Sequence, residues 1–221
     1  MTFHFDTVFE YWPMFLEGFK NTIYVTAGSL VFSIILSIPL AMMKISKSRI
    51  LSGFAFIYTD IFRALPSLVQ IYLVYFAAPS LIGVTLTAMT SAFITLSMNA
   101  AAYISEALRG GILSVNLGQK EAAKALGLSK FDTLFYIILP QALKSVFPSM
   151  INETIGLLKG TSLVSIIGVV DLMRACRQIM ADSYLSFEPL ITVALIYYVL
   201  VKLLSFAGNK VENKMRVSER R

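Results

Sequence analysis

Long apolar runs separated by short polar stretches dominate the hydrophobicity pattern of the chain. The first uncharged run extends from about Thr22 to Met43, which is long enough to cross the hydrocarbon core of a bilayer as a helix. Later apolar runs follow, so the pattern predicts an all-α, polytopic membrane protein with about five transmembrane helices, folded as one domain over residues 1–221. The predicted spans cover approximately residues 22–43, 51–79, 87–109, 141–158 and 189–207.

The second apolar run carries two charges and a proline. Asp60 and Arg63 stand three residues apart near mid-bilayer, where an unpaired charge is costly. Either the two charges neutralise each other on one helix face, or they serve a functional site. Pro66 then removes a backbone N–H, and broken helices at membrane depth often mark the substrate site of a transporter. We therefore expect the segment from Arg63 to Gln70 to line a translocation path.

A polar stripe runs along one face of the third span. Asn99, Tyr103 and Glu106 follow i, i+4, i+7 spacing. Polar groups of an apolar span face the bundle or a water-filled path rather than lipid, which makes Asn99 a candidate path residue. For Glu106 we expect an ion pair with Arg109 near the cytoplasmic end, in preference to substrate contact.

The fourth span carries Asn152 and Glu153 near its middle. An intramembrane glutamate is a functional candidate by default. The alternative is a structural role, in which Glu153 pairs with Lys159 on the same helix or with Arg63 of the second span.

Gly160, Thr161 and Ser162 follow directly after this span and are expected to interrupt its helix. Such a break exposes backbone groups and hydroxyls beside the carboxylate of Glu153. An α-amino acid needs donors for its carboxylate and acceptors for its ammonium group, and a broken helix supplies both. The carboxylate of Glu153 slightly favours a basic amino acid.

A polar segment, residues 170–188, lies between the fourth and fifth spans and is expected at the outer surface. Its apolar residues recur with helical spacing, which predicts a short amphipathic helix. The residues of that predicted apolar face are Leu172, Ala175, Cys176 and Ile179.

Composition and charge fit a membrane protein and predict its orientation. Hydrophobic residues make up 57% of the chain and charged residues 14%, against about 25% charged in an average soluble domain. The net charge of +6 would suit nucleic-acid binding, but five of the nineteen Lys and Arg residues lie in the last twelve positions. Three more, Lys44, Lys47 and Arg49, directly follow the first span. Basic residues beside spans mark cytoplasmic ends, so we expect the N-terminus outside and the C-terminus in the cytoplasm.

The stretch from Glu121 to Pro140 predicts two short helices joined by a sharp corner. The first helix ends at Gly127, which suits a left-handed C-cap. Ser129 and Asp132 form a capping box for the second helix, which Pro140 is expected to end. These local features fit two interpretations equally well: a rigid helical projection on the water-facing side, or a capped amphipathic surface loop.

The same stretch resembles the signature loop of the permease subunits of ABC importers. The pattern is Glu-Ala-Ala, three residues, Gly, nine residues, then Ile, any residue, Leu-Pro. It is matched without departure at Glu121, Ala122, Ala123, Gly127, Ile137, Leu139 and Pro140. The resemblance to permeases for polar amino acids spans roughly residues 15–205, through the segments 62–66, 99–119 and 152–163. Ala64 stands where that family leads us to expect glycine.

This resemblance implies a type I ABC importer permease that works by alternating access in the bacterial inner membrane. A coupling loop, residues 114–143, would dock its helix on a cytoplasmic ATPase. The implied partners are two ATPase subunits carrying ATP and Mg²⁺, a second permease subunit, identical or homologous, and an extracytoplasmic amino-acid-binding protein. The expected ATPase-coupling residues are Glu121, Ala122, Ala123, Leu126, Gly127 and Pro140. The expected substrate-path residues are Arg63, Pro66, Gln70, Asn99, Asn152, Glu153, Thr161 and Ser162.

The sequence lacks the motifs of an enzyme. It holds no Gly-x-x-x-x-Gly-Lys-Ser/Thr loop for nucleotide phosphates, no cluster of His and Cys ligands and no plausible nucleophile–base pair. We therefore expect no catalysis, no cofactor, no bound metal and no nucleic-acid partner for this chain. One alternative function is an autonomous secondary carrier or channel that uses Glu153 as an ion or proton site. A non-transporting membrane scaffold is another.

Overall fold

The computed structural model describes residues 4–217, so two of the basic residues used for the orientation, Arg220 and Arg221, lie outside the described residues. The described residues form helices and no strand, in agreement with the predicted all-α fold. In chain order the α-helices are α1 (Phe5–Glu10), α2 (Trp12–Lys44), α3 (Arg49–Ala64), α4 (Ser67–Tyr72), α5 (Ala78–Ile82), α6 (Ala88–Ser114), α7 (Leu117–Ala125), α8 (Lys130–Asp132), α9 (Leu139–Val164), α10 (Leu172–Ser183) and α11 (Phe187–Val217).

Several of these elements are suited to cross a membrane. By length and apolar composition, three helical stretches in the described part qualify alone: Trp12–Lys44, Lys130–Ile167 and Phe187–Met215. α3 and the helical stretch Ser67–Leu81 qualify together as one bent span, with 108° between them. α6 has 27 residues and packs against both α2 and α9. Because protein covers much of α6, it tolerates more polar residues than a lipid-facing helix does. Within the described residues, the three helical stretches and the bent pair match four of the five predicted spans; α6 takes the place of the predicted third span but does not qualify by the same measure.

Small side chains let the central helices pack closely. α2 contributes buried serines at four-residue intervals: Ser29, Ser33 and Ser37. α6 contributes a run of buried alanines over residues 100–102. A Cβ added at Gly111 of α6 would lie 2.4 Å from Cγ2 of Val146 on α9. These two helices therefore approach too closely at that point for a side chain.

The prediction that Pro140 ends the second helix of the loop is wrong. A π-helical turn over Thr133–Ile138 comes directly before this proline. The helix continues from Lys130 to Ile167. Pro140 falls within the first two positions of α9, where a missing N–H is tolerated. The wider π turn shifts the hydrogen-bond register directly before the proline ring. A second π turn, Leu73–Ala77, precedes α5 and its Pro79 in the same way.

The fourth span also remains helical through residues 160–162, so the predicted interruption there is wrong. The hydroxyls of this segment donate to the carbonyl three residues earlier, at 2.7 Å for Thr161 and 2.8 Å for Ser162. This local bonding satisfies the hydroxyls without opening the helix. The chain turns away only at Gly168, whose φ of +97° lies in the left-handed region.

The predicted amphipathic helix after the fourth span is present as α10. The residues of its predicted apolar face are all buried: Leu172, Ala175, Cys176 and Ile179. Asp171 caps the helix by accepting the N–H groups of Met173 at 3.2 Å and Arg174 at 2.9 Å. Burial raises the pKa of Asp171 to about 6, although these two N–H donors favour its charged form. α10 packs on α2 and α11 and closes one end of the bundle.

Candidate coupling loop and translocation path

The first helix of the coupling loop, α7, has a sharply defined C-terminal end. Gly127 adopts a left-handed conformation with φ +76°. Its N–H donates to the carbonyl of Lys124, and the N–H of Leu128 donates to that of Ala123, both at 3.0 Å. This pair of bonds is a Schellman motif, which satisfies carbonyls that the helix leaves free. The glycine C-cap predicted from the sequence is therefore confirmed.

The predicted coupling residues of α7 divide between a buried and an exposed side. Ala123 is buried, and α7 packs against the π turn before α9. Glu121 and Ala122 are exposed, and Leu126 is 80% exposed. An exposed leucine and an exposed carboxylate on one short segment offer a partner protein both apolar area and charge. Pro140 lies apart from this surface, at the start of α9.

The second helix of the loop begins with the predicted capping interaction. The N–H of Asp132 donates to Oγ of Ser129 at 3.1 Å, and the hydroxyl of Ser129 donates to the carboxylate at 2.6 Å. The rings of Phe131 and Phe135 lie 4.3 Å apart on the same turn, and both side chains are exposed. The loop thus enters α9 through an ordered corner with aromatic surface beside it.

The break in the second span is held by two side-chain amides, one from α4 within the same bent span and one from α6. Pro66 has no N–H to donate to the carbonyl of Phe62, which would be its helical acceptor. Gln70 Nε2 donates to this carbonyl at 2.9 Å and to that of Leu65 at 2.8 Å. Asn99 Nδ2 donates to the Phe62 carbonyl and to Gln70 Oε1, each at 3.1 Å. Two predicted path residues, Gln70 and Asn99, therefore use their donors to satisfy the broken backbone.

Opposite charges from the second and fourth spans act on each other near this break. The exposed Arg63 has its guanidinium carbon 5.4 Å from the centroid of the Tyr103 ring. Its positive charge attracts the carboxylate of the half-buried Glu153 on α9. Within the described residues, Asp60 forms no ion pair with Arg63. The charge of Arg63 therefore acts on Glu153 without forming an ion pair with it in the described part of the chain.

The remaining predicted path residues lie at different positions on α9. Asn152 is exposed on the helix. Thr161 is buried, and its hydroxyl lies 3.4 Å from that of Tyr197 on α11. Ser162 is half-buried and bonded within its own helix. The hydroxyls of Thr161 and Ser162 are therefore engaged with protein atoms.

Glu106 forms ion pairs with two basic side chains near the C-terminal ends of α2 and α6. It forms the predicted ion pair with Arg109. A second ion pair joins its Oε2 to Nζ of Lys44 at 2.6 Å, and the side chain of Lys44 is fully buried. The sequence does not predict this pair, because Lys44 there reads only as a charge that flanks the first span. The available signal was position, because both residues lie at the predicted cytoplasmic ends of their spans.

A family model for the inner membrane component of binding-protein-dependent transport systems matches residues 30–217. The chain belongs to this family. The putative glutamine transport system permease protein of Rickettsia bellii (strain RML369-C) is 40% identical over 217 residues, covering 97% of this chain and 100% of that protein. The arginine transport system permease protein of Bacillus subtilis (strain 168) is 40% identical over 219 residues, covering 99% of this chain and 100% of the relative.

A solved structure gives the same family assignment. A crystal structure of an amino acid ABC transporter with histidines superposes with a TM-score of 0.91 at 34% identity, covering 97% of this chain and 100% of that chain. The chain is therefore a multi-pass transport subunit of the bacterial inner membrane and not an enzyme. Members of its family act with a separate ATPase and with a substrate-binding protein.

Proposed function

We propose that this subunit carries polar amino acids inward by alternating access, driven by ATP that a partner ATPase binds with Mg²⁺ and hydrolyses. Relatives named for glutamine and for arginine are each 40% identical to the chain. Glutamine is neutral and arginine is cationic. Because the two relatives are equally similar to this chain, their names support a class of polar amino acids as substrates. The carboxylate of Glu153 gives a basic amino acid a small advantage within this class.

The observation that carries the proposal is the geometry of α7. This short helix ends in a Schellman motif and keeps Glu121, Ala122 and Leu126 exposed. A capped helix can transmit the movement of a docked ATPase to the transmembrane helices, whereas an unstructured loop would not. We propose that the ATPase docks on the coupling loop, residues 114–143, and that the sequence pattern around Gly127 and Pro140 serves the same docking. The loop then lies in the cytoplasm, with the N-terminus outside and the C-terminus inside.

The proposed substrate path follows the face that carries Arg63 and Glu153. A zwitterionic amino acid presents a carboxylate and an ammonium group, which these two opposite charges complement. Asn152 adds an exposed amide on the same span as Glu153. Pro66, Gln70 and Asn99 shape the path by fixing the bend, and Thr161 and Ser162 shape it through packing within α9.

The proposed assembly contains a second permease subunit, two ATPase subunits and an extracytoplasmic binding protein. Arg63, Asn152 and Lys159 are exposed on helical stretches that are suited to cross a membrane. Charged and polar groups at membrane depth face other protein or a water-filled cavity rather than lipid. A second copy or homologue across this face would enclose the path. In this proposed assembly the chain contributes a single transmembrane domain, residues 1–221.

Uptake by a reconstituted complex tests the function. The chain is co-purified with its ATPase, placed in proteoliposomes with binding protein, and supplied with labelled glutamine or arginine. We expect uptake to require ATP and to fail when Glu121→Lys reverses the exposed charge of α7. Gln119→Lys is the control, because it places the same lysine side chain on roughly the opposite face of the same helix.

The main alternative is a secondary carrier or channel centred on Glu153. Uptake without any ATPase, driven by an ion gradient and lost in Glu153→Gln, would support that alternative and overturn the importer proposal. Competition among unlabelled amino acids in the same assay identifies the substrate.

A further inference from the structure

Three charged side chains join α2, α6 and α3 at one end of the bundle. Glu106 accepts from Lys44 Nζ at 2.6 Å and from Arg109 Nε at 2.9 Å. The ammonium group of Lys44 also lies 5.5 Å from the centroid of the Phe56 ring on α3. We call Lys44, Glu106 and Arg109 the charged clasp.

The clasp stands close to the coupling loop along the chain. α6 ends at Ser114, and α7 begins at Leu117. Of the two residues between them, Val115 is buried, and Asn116 caps α7 by accepting the N–H of Gly118 at 2.8 Å. With so short and ordered a connection, a displacement of α7 is passed directly to the end of α6.

α2 has no such direct connection to the coupling loop, because it is separated from it by α3 to α6. Elsewhere α2 packs against α6 through apolar and aromatic side chains, including Tyr24 against Phe93 and Leu40 with Ala101. Apolar contacts of this kind are non-directional. The ion pair between Lys44 and Glu106 is directional and therefore resists relative movement of the two helix ends.

Stability alone is a weak reason for a buried lysine. Removing an ammonium group from water is costly, and a well-packed apolar residue of similar size often gives equal or greater stability. The lysine side chain is 0% exposed, so it bears this cost in full. Its charge must therefore serve an interaction that an apolar residue could not provide.

We infer that the charged clasp makes α2 follow the movement of the coupling helix, with Glu106 as the positioning residue at its centre. This inference rests on the proposed coupling function of α7. The clasp contacts neither the substrate nor the ATPase; it transmits the displacement of α6 to α2 and, through Phe56, to α3. Without it, ATP hydrolysis still moves α6, but part of that movement no longer opens the path.

The test measures transport per ATP hydrolysed in the complete reconstituted complex. The variants are Lys44→Met, Glu106→Gln and the double variant carrying both. We expect all three to keep the ATPase bound while the number of amino acids moved per ATP falls by about fivefold, the lower end of typical coupling between sites. Lys47→Met is the control, since it removes an exposed charge from the adjoining loop and should keep the wild-type ratio.

The double variant separates coupling from stability. Glu106→Gln alone leaves a buried ammonium group without its carboxylate, so its thermal stability should fall. Removing the charge of Lys44 as well should restore most of the melting temperature, because Arg109, which stays without its carboxylate, is partly exposed, but it should not restore the transport ratio. A double variant with both properties at wild-type values would refute the inference, because the pair would then be merely structural. Failure of the wild-type complex to use ATP for uptake would instead refute the proposed function.

Discussion

At the scale of single residues, the carbonyl of Phe62 explains why amides stand at the bend of the second span. Pro66 deprives it of a helical donor, and two amides, those of Gln70 and Asn99, take over. A buried carbonyl without any donor costs far more than an average hydrogen bond contributes. The polar residues at this bend therefore have a structural role that does not depend on substrate.

Changing Gln70 to Glu should destabilise the protein by about 1–3 kcal/mol, the usual cost of an unsatisfied buried polar group. The substitution keeps the shape of the side chain but replaces its donating NH₂ with an acceptor that faces the carbonyls of Phe62 and Leu65. Thermal unfolding of the purified complex measures the effect. Gln119→Glu, the same change at an exposed position, should leave the melting temperature almost unchanged. Equal stability of the two variants would contradict the role assigned to Gln70.

The buried carboxyl of Asp171 should make stability depend on pH. Burial raises its pKa from 3.8 to about 6, so the folded state holds this proton more tightly than the unfolded state does. Its contribution to stability is therefore complete below pH 3.8 and is lost as pH rises through about 6, a change of about 3 kcal/mol for two pKa units.

Asp171→Asn tests this pH dependence. Asparagine caps helices as well as aspartate, so α10 should stay intact, and the variant should gain stability relative to wild type near pH 7. Comparing melting temperatures of the two proteins between pH 4.5 and 7.5 isolates the effect, because other titrating groups are common to both. Parallel curves would exclude Asp171 as the source.

Residue-level chemistry was predictable from the sequence only where both partners are local. Gly127 and the Ser129–Asp132 pair were correctly predicted because a cap is formed within a few residues. Asn99 lies 37 positions from Phe62, and Lys44 lies 62 positions from Glu106. Such pairs depend on which helices pack together, which a single sequence does not specify.

At the scale of helices, the contact between α6 and α9 at Gly111 should tolerate no side chain. In Gly111→Ala the new Cβ would meet Val146 Cγ2 at 2.4 Å and the carbonyl of Ala142 at 3.0 Å, so we expect a loss of about 1–3 kcal/mol from overpacking. The neighbouring Gly110 has no atom within 4 Å of an added Cβ. Gly110→Ala should therefore raise stability slightly through helix propensity. Melting temperatures that move in the same direction for both variants would contradict this packing.

Helix boundaries show where pattern reasoning works and where it does not. The apolar face of α10 was predicted completely, because periodicity alone determines which side of a helix is buried. Pro140 and the segment 160–162 were expected to break helices and do not. A π turn accommodates Pro140, and back-bonded hydroxyls stabilise the segment. Both solutions depend on register within a continuous helix, which composition does not reveal.

At the scale of the whole molecule, the coupling loop and α10 should lie on opposite sides of the membrane, because the chain crosses it once between them, through α9. Single cysteines at Lys124 in α7 and Asp182 in α10 test this arrangement with a membrane-impermeant maleimide, since both positions are exposed. Native Cys176 is fully buried, and burial raises the pKa of its thiol to about 11. It should therefore contribute little background, because only a thiolate reacts readily.

In right-side-out vesicles we expect labelling of Asp182→Cys alone, and in inside-out vesicles labelling of Lys124→Cys alone. Permeabilised vesicles are the control in which both should react. Labelling of both positions from one face would mean that α9 does not cross the bilayer. The positions of the loop and of Lys44, Lys47 and Arg49 would then no longer support a common cytoplasmic side. Opposite labelling would place α7 where an ATPase can reach it and α10 where a binding protein can, as import through this subunit requires.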